Sequence, residues 1–429
     1  MTCMPSHAAL TSCAPADRIA LSSFSKHLDM AINGWPRAGA ENGSISDCCR
    51  WPGVRCRHRF GSERDQVRVV GLDLAGRGLT GAILSSSLAR LDELRVLNLS
   101  WNSLHGAVPS ELLRMQRLRR ALRALQECRA LAVLILTTNF RGEELPGADD
   151  GIRGFPSMRL LGVANCALTG AVPPWLRASA RLSVLDLSWN QLSGAAPPWL
   201  GGFDALFRID LSGNALTGGI PPSLARLRSL AAGDAAASRV QLSLSGDNGV
   251  RLYNWHVERG QLWYNSYIPP SLDLSRNGLT GAIPPELGDL NLLNLSWNAL
   301  SGQIPASLAS LQTLDLSNNE LDGEIPSSLA GLTFLSCFDV SFNRLSGAIP
   351  DHGQFSTFPC SSFAGNPGLH GEYCDGLVGA GTQENHDGDV ASLVHDLWLP
   401  FWLGMVAALL PTMYAHGLAL ETPPTSSQF

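Results

Sequence analysis

Carboxylates recur at one place of a short motif that returns along the chain, between two apolar residues. They are Asp73, Asp186, Asp210, Asp273, Asp315 and Asp339, and other copies of the motif have Asn98, Ile135, Gly162 and Asn294 at that place. If each motif is a strand, these side chains point outward side by side, where their oxygens could attract a cation. Regularly spaced surface carboxylates do not converge in a pocket, however. We therefore expect a structural column that holds no metal and no cofactor.

Aromatic side chains occupy a second column, three residues further along the same motif. This column contains Trp101, Trp189 and Trp297, together with Thr138, Asn165, Gly213, Arg276 and Asn318. Tryptophans that are exposed on a rigid surface are typical anchors of protein interfaces. The column is therefore a candidate contact surface.

The chain lacks the sequence patterns of common enzyme classes. It contains no glycine-rich phosphate loop, no HRD or DFG kinase motif, and no HExxH, GxSxG or CxxC pattern. The net charge is −6, and Lys26 is the only lysine among 31 basic residues, a bias that indicates gene base composition rather than a nucleic-acid surface. We predict a binding protein without catalytic activity and without a nucleic-acid partner.

The two columns are positioned by ten copies of the pattern LxLxxNxLxGxIP. Seven copies are clear, over 97–109, 185–197, 209–221, 272–284, 293–305, 314–326 and 338–350, and three are weaker, over 72–84, 134–146 and 161–173. The alternating leucines predict a short strand whose leucines face the core, so that successive copies stack into one parallel sheet. Such repetition is typical of leucine-rich repeats. The predicted fold class is an α/β repeat, a plant-type leucine-rich-repeat solenoid with the shape of a horseshoe.

The asparagine of the pattern has a structural interpretation. Its amide is expected to turn inward and bind backbone groups where the chain leaves each strand, at Asn102, Asn139, Asn190, Asn214, Asn277, Asn298, Asn319 and Asn343. Each such bond contributes about 1 kcal/mol net, and leaving a buried backbone group unpaired costs more.

The spacing of the copies indicates where the array is interrupted. A step of 24 residues is the norm, but one step of 63 holds an insertion of about 39 residues, and a step of 37 contains ELLRMQRLRRALRALQECRAL, which has a helical pattern. We divide the chain into an N-terminal region with a cap (1–66), repeats (67–232), an insertion (233–268), repeats (269–350), a C-terminal cap (351–376), a linker (377–396), a candidate transmembrane helix (397–416) and a polar tail (417–429).

The N-terminal cap resembles that of plant leucine-rich-repeat receptors, and several stretches are similar to phytosulfokine receptors in particular. The cap motif is DCCRWPGVRC (47–56), preceded by Cys13 and a helix-like segment. In that family two disulfides hold the cap. The resemblance implies that Cys13 pairs with Cys48 and that Cys49 pairs with Cys56, although the sequence alone does not fix the pairing.

The C-terminal cap, GQFSTFPCSSFAGNPGLHGEYC (353–374), also resembles the family. It has His370 where the family has a cysteine, so the resemblance implies that Cys374 pairs with Cys360 instead. The remaining cysteines of the repeats are expected to be buried free thiols, at Cys128, Cys166 and Cys337.

The resemblance is most specific around the insertion. LTTNFRGEELP, VANCALTG and LDLSWNQLSGAAP precede it in the order of the family, and it contains Tyr253, Trp255, Trp263, Tyr264 and Tyr267. Phytosulfokine receptors carry a comparable island domain, and they bind a tyrosine-sulfated pentapeptide between the island and the concave face. The aromatic residues predict an ordered recognition subdomain, because a loop that is merely tolerated is poor in them.

The binding residues of the family are partly retained. Its polar contacts fall on Thr137, Asn165 and Asp186, all three retained in type. A family lysine that meets the sulfate has no clear counterpart, and Trp255 takes its place. Candidates for the charge-assisted donors that a sulfate needs are Arg251, His256 and Arg259. Several repeats that the receptors carry before residue 128 are absent, so the binding groove is expected to be shorter.

Two segments bear on the location of the protein. Residues 397–415 are uncharged and would span roughly 28 Å as a helix, close to a bilayer core. Pro400 and Pro411 interrupt this run, and no basic residue follows Arg344 to anchor it. The first seventeen residues have no pattern of a secretion signal, and we expect an incomplete N-terminus. The predicted location is the plasma membrane, facing the outside.

N-x-S sequons mark three asparagines. Asn98 and Asn294 lie on predicted strands, where a glycan would obstruct the groove, so we interpret these two sequons as chance matches. Asn42 is therefore the candidate glycosylation site.

These features predict a peptide-binding receptor-like protein without a kinase domain. Its expected partners are a sulfated peptide and a co-receptor kinase that docks near the C-terminal repeats. One alternative is a secreted inhibitor of cell-wall-degrading enzymes. The insertion and the C-terminal apolar run argue against this alternative. Another alternative is a truncated, non-functional copy of a receptor kinase.

Overall fold

The computed structural model describes residues 13–29, 31–36, 47–59, 66–81, 85–104, 117–227, 270–308, 311–331, 335–371 and 374. The insertion predicted over 233–268, the candidate membrane helix over 397–416 and the sequon at Asn42 lie outside these residues. In the part of the chain that is described, no helix is long and apolar enough to cross a membrane.

Short strands dominate the described residues. Numbered along the chain, they are β1 (Val54–Arg59), β2 (Gln66–Asp73), β3 (Thr80–Gly81), β4 (Val96–Asn98), β5 (Ser103–Leu104), β6 (Val133–Ile135), β7 (Leu160–Gly162), β8 (Val184–Asp186), β9 (Ser193–Ala195), β10 (Arg208–Asp210), β11 (Ala215–Gly218), β12 (Ser271–Asp273), β13 (Gly278–Gly281), β14 (Leu292–Asn294), β15 (Ala299–Gln303), β16 (Thr313–Asp315), β17 (Glu320–Gly323), β18 (Cys337–Asp339), β19 (Arg344–Ala348) and β20 (Gly368–His370). Three α-helices accompany them, α1 (Pro15–Ser25), α2 (Ser85–Leu88) and α3 (Arg117–Leu125).

Eleven strands form one sheet in the order β1-β2-β4-β6-β7-β8-β10-β12-β14-β16-β18. β1 and β2 are antiparallel, and every later pair is parallel, as the repeat predicts. The long insertion does not disturb the register, because Ile209 of β10 pairs with Leu272 of β12. The 37-residue step likewise adds no strand to this sheet between β4 and β6, since Leu97 of β4 pairs with Leu134 of β6.

The second half of the repeat builds further sheets and short helical turns. Seven strands follow the order β20-β19-β17-β15-β13-β11-β9, and β3 pairs with β5. Next to them, 3₁₀ helices cover Pro174–Ala178, Pro198–Gly202, Pro222–Arg226, Pro285–Asp289 and Ser327–Gly331. In four of these five, proline occupies the first turn, where its missing N–H leaves no hydrogen bond unmade.

The asparagine column performs the predicted role. Asn190 is representative: its Nδ2 donates to the carbonyls of Val163 (2.8 Å) and Leu187 (3.0 Å). Its Oδ1 accepts the backbone N–H groups of Cys166 and Leu168, both at 3.0 Å. One amide therefore connects β8 to the repeat of β7, and the equivalent bonds recur at Asn102, Asn139, Asn214, Asn277, Asn298, Asn319 and Asn343.

One repeat has cysteine at the asparagine position, and the first has Arg77 there. The Sγ of Cys166 donates to the carbonyls of Ala164 (3.2 Å) and Leu136 (3.7 Å) and accepts the N–H of Asn139 (3.4 Å). Burial raises the pKa of this thiol to about 11, so it stays protonated. Cys128 is also a buried free thiol, whereas Cys337 is free but only partly buried.

Disulfides close both ends of the described array. Cys13 is bonded to Cys48, and Cys49 to Cys56, at the N-terminal cap. Cys360 is bonded to Cys374 at the C-terminal end. These are the pairs that the family resemblance implies.

A buried ion pair ties α1 to the first strands. The carboxylate of Asp17 is fully buried, and it accepts the Nε and Nη2 of Arg68 (3.1 and 2.9 Å) together with the backbone N–H of Val69 (2.8 Å). Arg68 also pairs with Asp92. Since an isolated charge is costly inside a protein, this pairing is what permits Asp17 to lie in the core.

Helix α3 fills the 37-residue step and is capped from another repeat. The buried carboxylate of Glu143 accepts the first backbone N–H groups of the helix, those of Arg117 (3.0 Å) and Leu118 (2.8 Å). These groups have no partner inside the helix. Glu143, which lies in the segment FRGEELP that departs from the usual repeat pattern, therefore caps α3.

Candidate functional site

The outward residues of the eleven-stranded sheet form a continuous surface, which we call the strand face. It comprises the aspartate column, the column three residues later and, between them, a column of mostly serine or threonine that contains Thr137. Along β8, Leu185 and Leu187 are fully buried while Asp186 between them points outward. This alternation is the consequence of the two-residue period of a strand.

The structure places the three predicted polar contacts on neighbouring strands. Thr137 follows β6, Asn165 follows β7 and Asp186 ends β8, and these strands pair in that order. Adjacent parallel strands lie about 4.8 Å apart. The three side chains therefore belong to one region of the strand face.

Local hydrogen bonds already hold these residues. Thr137 is only 3% exposed, and its hydroxyl oxygen accepts the N–H of Ala164 at 3.3 Å. The backbone N–H of Asn165 donates to the carbonyl of Ser188 at 2.9 Å. The Oδ1 of Asp186 accepts the N–H and the hydroxyl of Ser188, at 3.1 and 2.6 Å. Asn165 and Asp186 are partly exposed, so these two are the more accessible members of the set.

Thr138, next to Thr137, has a hydroxyl without a partner. Its Oγ1 is buried and makes no hydrogen bond within the described residues. The sequence places Thr138 in the column three residues after the aspartate column but predicts no role for it. The other predicted contacts, Arg251, Trp255, His256 and Arg259, lie outside the described residues.

Four carboxylates of the aspartate column, those of Asp186, Asp273, Asp315 and Asp339, have a raised pKa. In register across β8, β10 and β12 are Asp186, Asp210 and Asp273. Burial, and next the charge of Asp210, raise the pKa of Asp186 to about 6 and that of Asp273 to about 7. Arg208 is the cation that opposes both shifts. The row is therefore partly neutral near pH 6, which weakens its attraction for a metal ion.

The last two aspartates behave in the same way. Burial and the neighbouring carboxylate of Asp315 raise the pKa of Asp339 to about 6. Burial also raises the pKa of Asp315, which the charge of Arg276 opposes.

The column three residues later has a backbone that sequence reasoning did not foresee. Every described member adopts the left-handed conformation, with φ between 50° and 62°, at Gly76, Trp101, Thr138, Asn165, Trp189, Gly213, Arg276, Trp297, Asn318 and Phe342. Glycine and asparagine accept this conformation readily, but bulky residues do so only at a cost of about 1–2 kcal/mol. We call this set of residues the left-handed column.

Arg276 joins two tryptophans of the left-handed column. Its guanidinium carbon lies 4.8 Å from the ring centre of Trp297 and 5.9 Å from that of Trp189. Gly213 lies between Trp189 and Arg276, and a Cβ there would stand 3.0 Å from the indole of Trp189. The missing side chain of Gly213 is what allows the indole to lie over this repeat.

Phe342 completes the left-handed column and was missed in the sequence. It is 55% exposed, and its ring leans over Gly365, where a Cβ would stand 2.6 Å from the ring. The signal was available, because SFN in the last repeat aligns with SWN in the three repeats of Trp101, Trp189 and Trp297.

Two of the sequons fall on residues that cannot carry a glycan in this fold. Asn98 and Asn294 are each only 6% exposed. The Oδ1 of each accepts the N–H and the hydroxyl of the serine two residues later. The expectation that these sequons are chance matches agrees with this burial.

Comparison with known proteins supports a relation to plant receptors. The family model described as Leucine Rich Repeat matches residues 93–115, 181–203, 205–227, 271–290, 289–311 and 310–332. Phytosulfokine receptor 2 of Arabidopsis thaliana is 49% identical over 176 residues, which cover 40% of this chain and 16% of that protein. Receptor-like protein 3 of Arabidopsis thaliana is 41% identical over 214 residues, or 49% of this chain and 26% of that protein. The chain thus matches only about a quarter, or less, of the length of these relatives.

A solved structure supports the fold. A plant ice-binding protein superposes with a TM-score of 0.51 at 23% identity, covering 84% of this chain and 96% of that protein. At this identity the likeness concerns the arrangement of the repeats and carries no information about the ligand.

Proposed function

We propose that this chain, whose repeats and relatives are of the plant leucine-rich-repeat receptor type, binds a peptide on its strand face, around Thr137, Asn165 and Asp186. It would do so at the cell surface, as a receptor-like protein whose signal passes through a co-receptor kinase. The observation that carries the proposal is that the three residues carried over from phytosulfokine receptors fall on adjacent strands.

The charges of the strand face restrict how a sulfated peptide would lie. Asp186, Asp210 and Asp273 are stacked in register, and Arg208 and Arg276 are among the cations whose charges act on the aspartate column. A sulfate placed against the aspartates would be repelled. We therefore assign the sulfate to donors of the insertion, namely Arg251, His256 and Arg259, and the uncharged remainder of the peptide to the strand face.

Asn165 and Asp186 offer the peptide complementary groups. A carboxylate oxygen of Asp186 that is not bound by Ser188 can accept an N–H of the peptide, and the amide of Asn165 can donate and accept. Such bonds are directional, so they favour an extended peptide that runs across successive strands.

Conservative variants test this placement without breaking the fold. Asp186→Asn keeps the acceptor for Ser188 and removes the charge, and Asn165→Gly suits the left-handed backbone at φ 50°. Asp339→Asn and Asn318→Gly make the same changes at equivalent positions of other repeats. We expect each site variant to weaken peptide binding about tenfold, the effect of losing one good polar contact, and each control to leave it unchanged.

The role of the insertion is tested separately. Replacing Arg251, His256 and Arg259 together by alanine should abolish the preference for the sulfated over the unsulfated peptide. If the site variants and their controls weaken binding equally, the peptide does not lie at Thr137, Asn165 and Asp186.

A further inference from the structure

Two exposed aromatic rings stand at the C-terminal end of the left-handed column. Trp297 is 50% exposed and Phe342 is 55% exposed, with the short side chain of Asn318 between them. Their strands are two steps apart, which is about 10 Å. We call Trp297, Asn318 and Phe342, with the neighbouring Asp315 and Asp339, the aromatic strip.

Neither the backbone conformation nor burial in the core explains why aromatic residues occupy these two positions. Trp297 and Phe342 have φ values of 57° and 54°, a conformation that Gly76, Gly213 and Asn318 adopt at little cost in the same column. An exposed ring gains little from burial to offset that strain. Strained backbone positions cluster at binding sites. Contact with a partner would bury these rings and so offset the strain.

The charge beside the rings indicates the kind of partner. Asp315 and Asp339 are in register on β16 and β18. The Oδ1 of Asp339 accepts the N–H and hydroxyl of Ser341, and within the described residues Asp339 takes part in no ion pair. The strip therefore presents carboxylates next to aromatic faces, a combination that suits a cationic side chain.

The chain itself shows how such a side chain packs. The guanidinium of Arg276 lies 4.8 Å from the ring centre of Trp297, at the end of the strip that faces the preceding repeat. Phe342 has no cation over its ring among the described residues. Arg276 places a guanidinium between the rings of Trp189 and Trp297. The equivalent place between Trp297 and Phe342 belongs to Asn318, whose short side chain leaves room there for a guanidinium from a partner.

We propose that the aromatic strip is a docking surface for a basic segment of a partner protein, whose arginine side chains stack on Phe342 and Trp297 and pair with Asp339 and Asp315. This surface lies several strands away from Thr137, Asn165 and Asp186 and does not depend on the peptide site. Arginine is favoured over lysine, because a planar guanidinium can stack on a ring and bind a carboxylate at the same time.

Hexa-arginine peptide is the probe, titrated into the full chain in low salt at pH 8, where Asp339, whose pKa is about 6, is ionised. The double variant Trp297→Asn with Phe342→Asn removes both rings and leaves a residue that suits the left-handed backbone, and Trp101→Asn makes the same change outside the strip. We expect the double variant to bind hexa-arginine about tenfold more weakly and Trp101→Asn to bind it as the wild type does. Asp339→Asn should weaken binding severalfold.

Two results would overturn the proposal. One is equal binding of hexa-arginine by the wild type and the double variant. The other is that hexa-arginine fails to bind while cellohexaose binds in a manner that depends on Trp297 and Phe342, which would make the strip a carbohydrate site. Thermal unfolding of each variant is measured alongside, and we expect the asparagine variants to be at least as stable as the wild type, because strain is removed.

Discussion

Replacement of Asn190 by alanine should destabilise the region that carries the candidate peptide site. Asn190 is only 7% exposed, and its amide holds the turn after β8 against the turn after β7. The variant leaves the N–H groups of Cys166 and Leu168 without an acceptor. It also removes the donor from the carbonyl of Val163 and one of two donors from the carbonyl of Leu187, which Asn214 still bonds. Five hydrogen bonds are lost, including a longer one to the carbonyl of Ser188 (3.3 Å), at about 1 kcal/mol each, so the expected loss of unfolding free energy is about 4–5 kcal/mol.

Urea denaturation followed by circular dichroism measures this loss, and Gln191→Ala is the matched control, since its side chain is exposed. Hydrogen exchange adds a local readout, because the amide protons of Cys166 and Leu168 should exchange faster in the variant. A loss below about 1 kcal/mol, or unchanged exchange at both amides, would refute the view that the asparagine column holds the repeats together.

Three further predictions concern charge and strain. Asp273→Asn should leave the free energy of unfolding unchanged at pH 4 and raise it by about 1–3 kcal/mol at pH 8. The pKa of Asp273 is about 7 in the folded protein and near 4 in the unfolded chain, so the wild type loses stability as the pH rises from 4 to 7. Urea unfolding at both pH values checks this, and equal effects would contradict it. Asp17→Ala should cost about 3–5 kcal/mol, because Arg68 and the N–H of Val69 lose a buried partner; a normal melting temperature would count against it. Gly213→Ala should shift tryptophan fluorescence by displacing Trp189, whereas Gly194→Ala, equally left-handed but with open space around its Cβ, should not.

The repeating part of the fold could be predicted because its causes are local. The alternating leucines determine the strand, and the amide of Asn190 bonds to groups at fixed offsets in the neighbouring repeat. The replacement of asparagine by Cys166 could be located by alignment, although the hydrogen bonds of its thiol could not.

Other features depend on contacts that the pattern does not encode. The carboxylate of Glu143 caps α3 from a different repeat, so no local signal marks it. The left-handed backbone at Trp297 is set by its place in the repeat, although tryptophan disfavours that conformation. Thr137 was expected as a peptide contact from the family resemblance, whereas its burial follows from how neighbouring strands pack.

The central claim is that the strand face binds a peptide whose sulfate is read by the insertion. Isothermal titration calorimetry of the full chain with a tyrosine-sulfated pentapeptide, and with the same peptide lacking the sulfate, tests it most directly. We predict binding of the sulfated peptide and binding of the unsulfated peptide that is about tenfold weaker or more, as expected when charge-assisted hydrogen bonds are lost. Equal affinities would contradict the role of the insertion, and no heat with either peptide would contradict the proposed function itself.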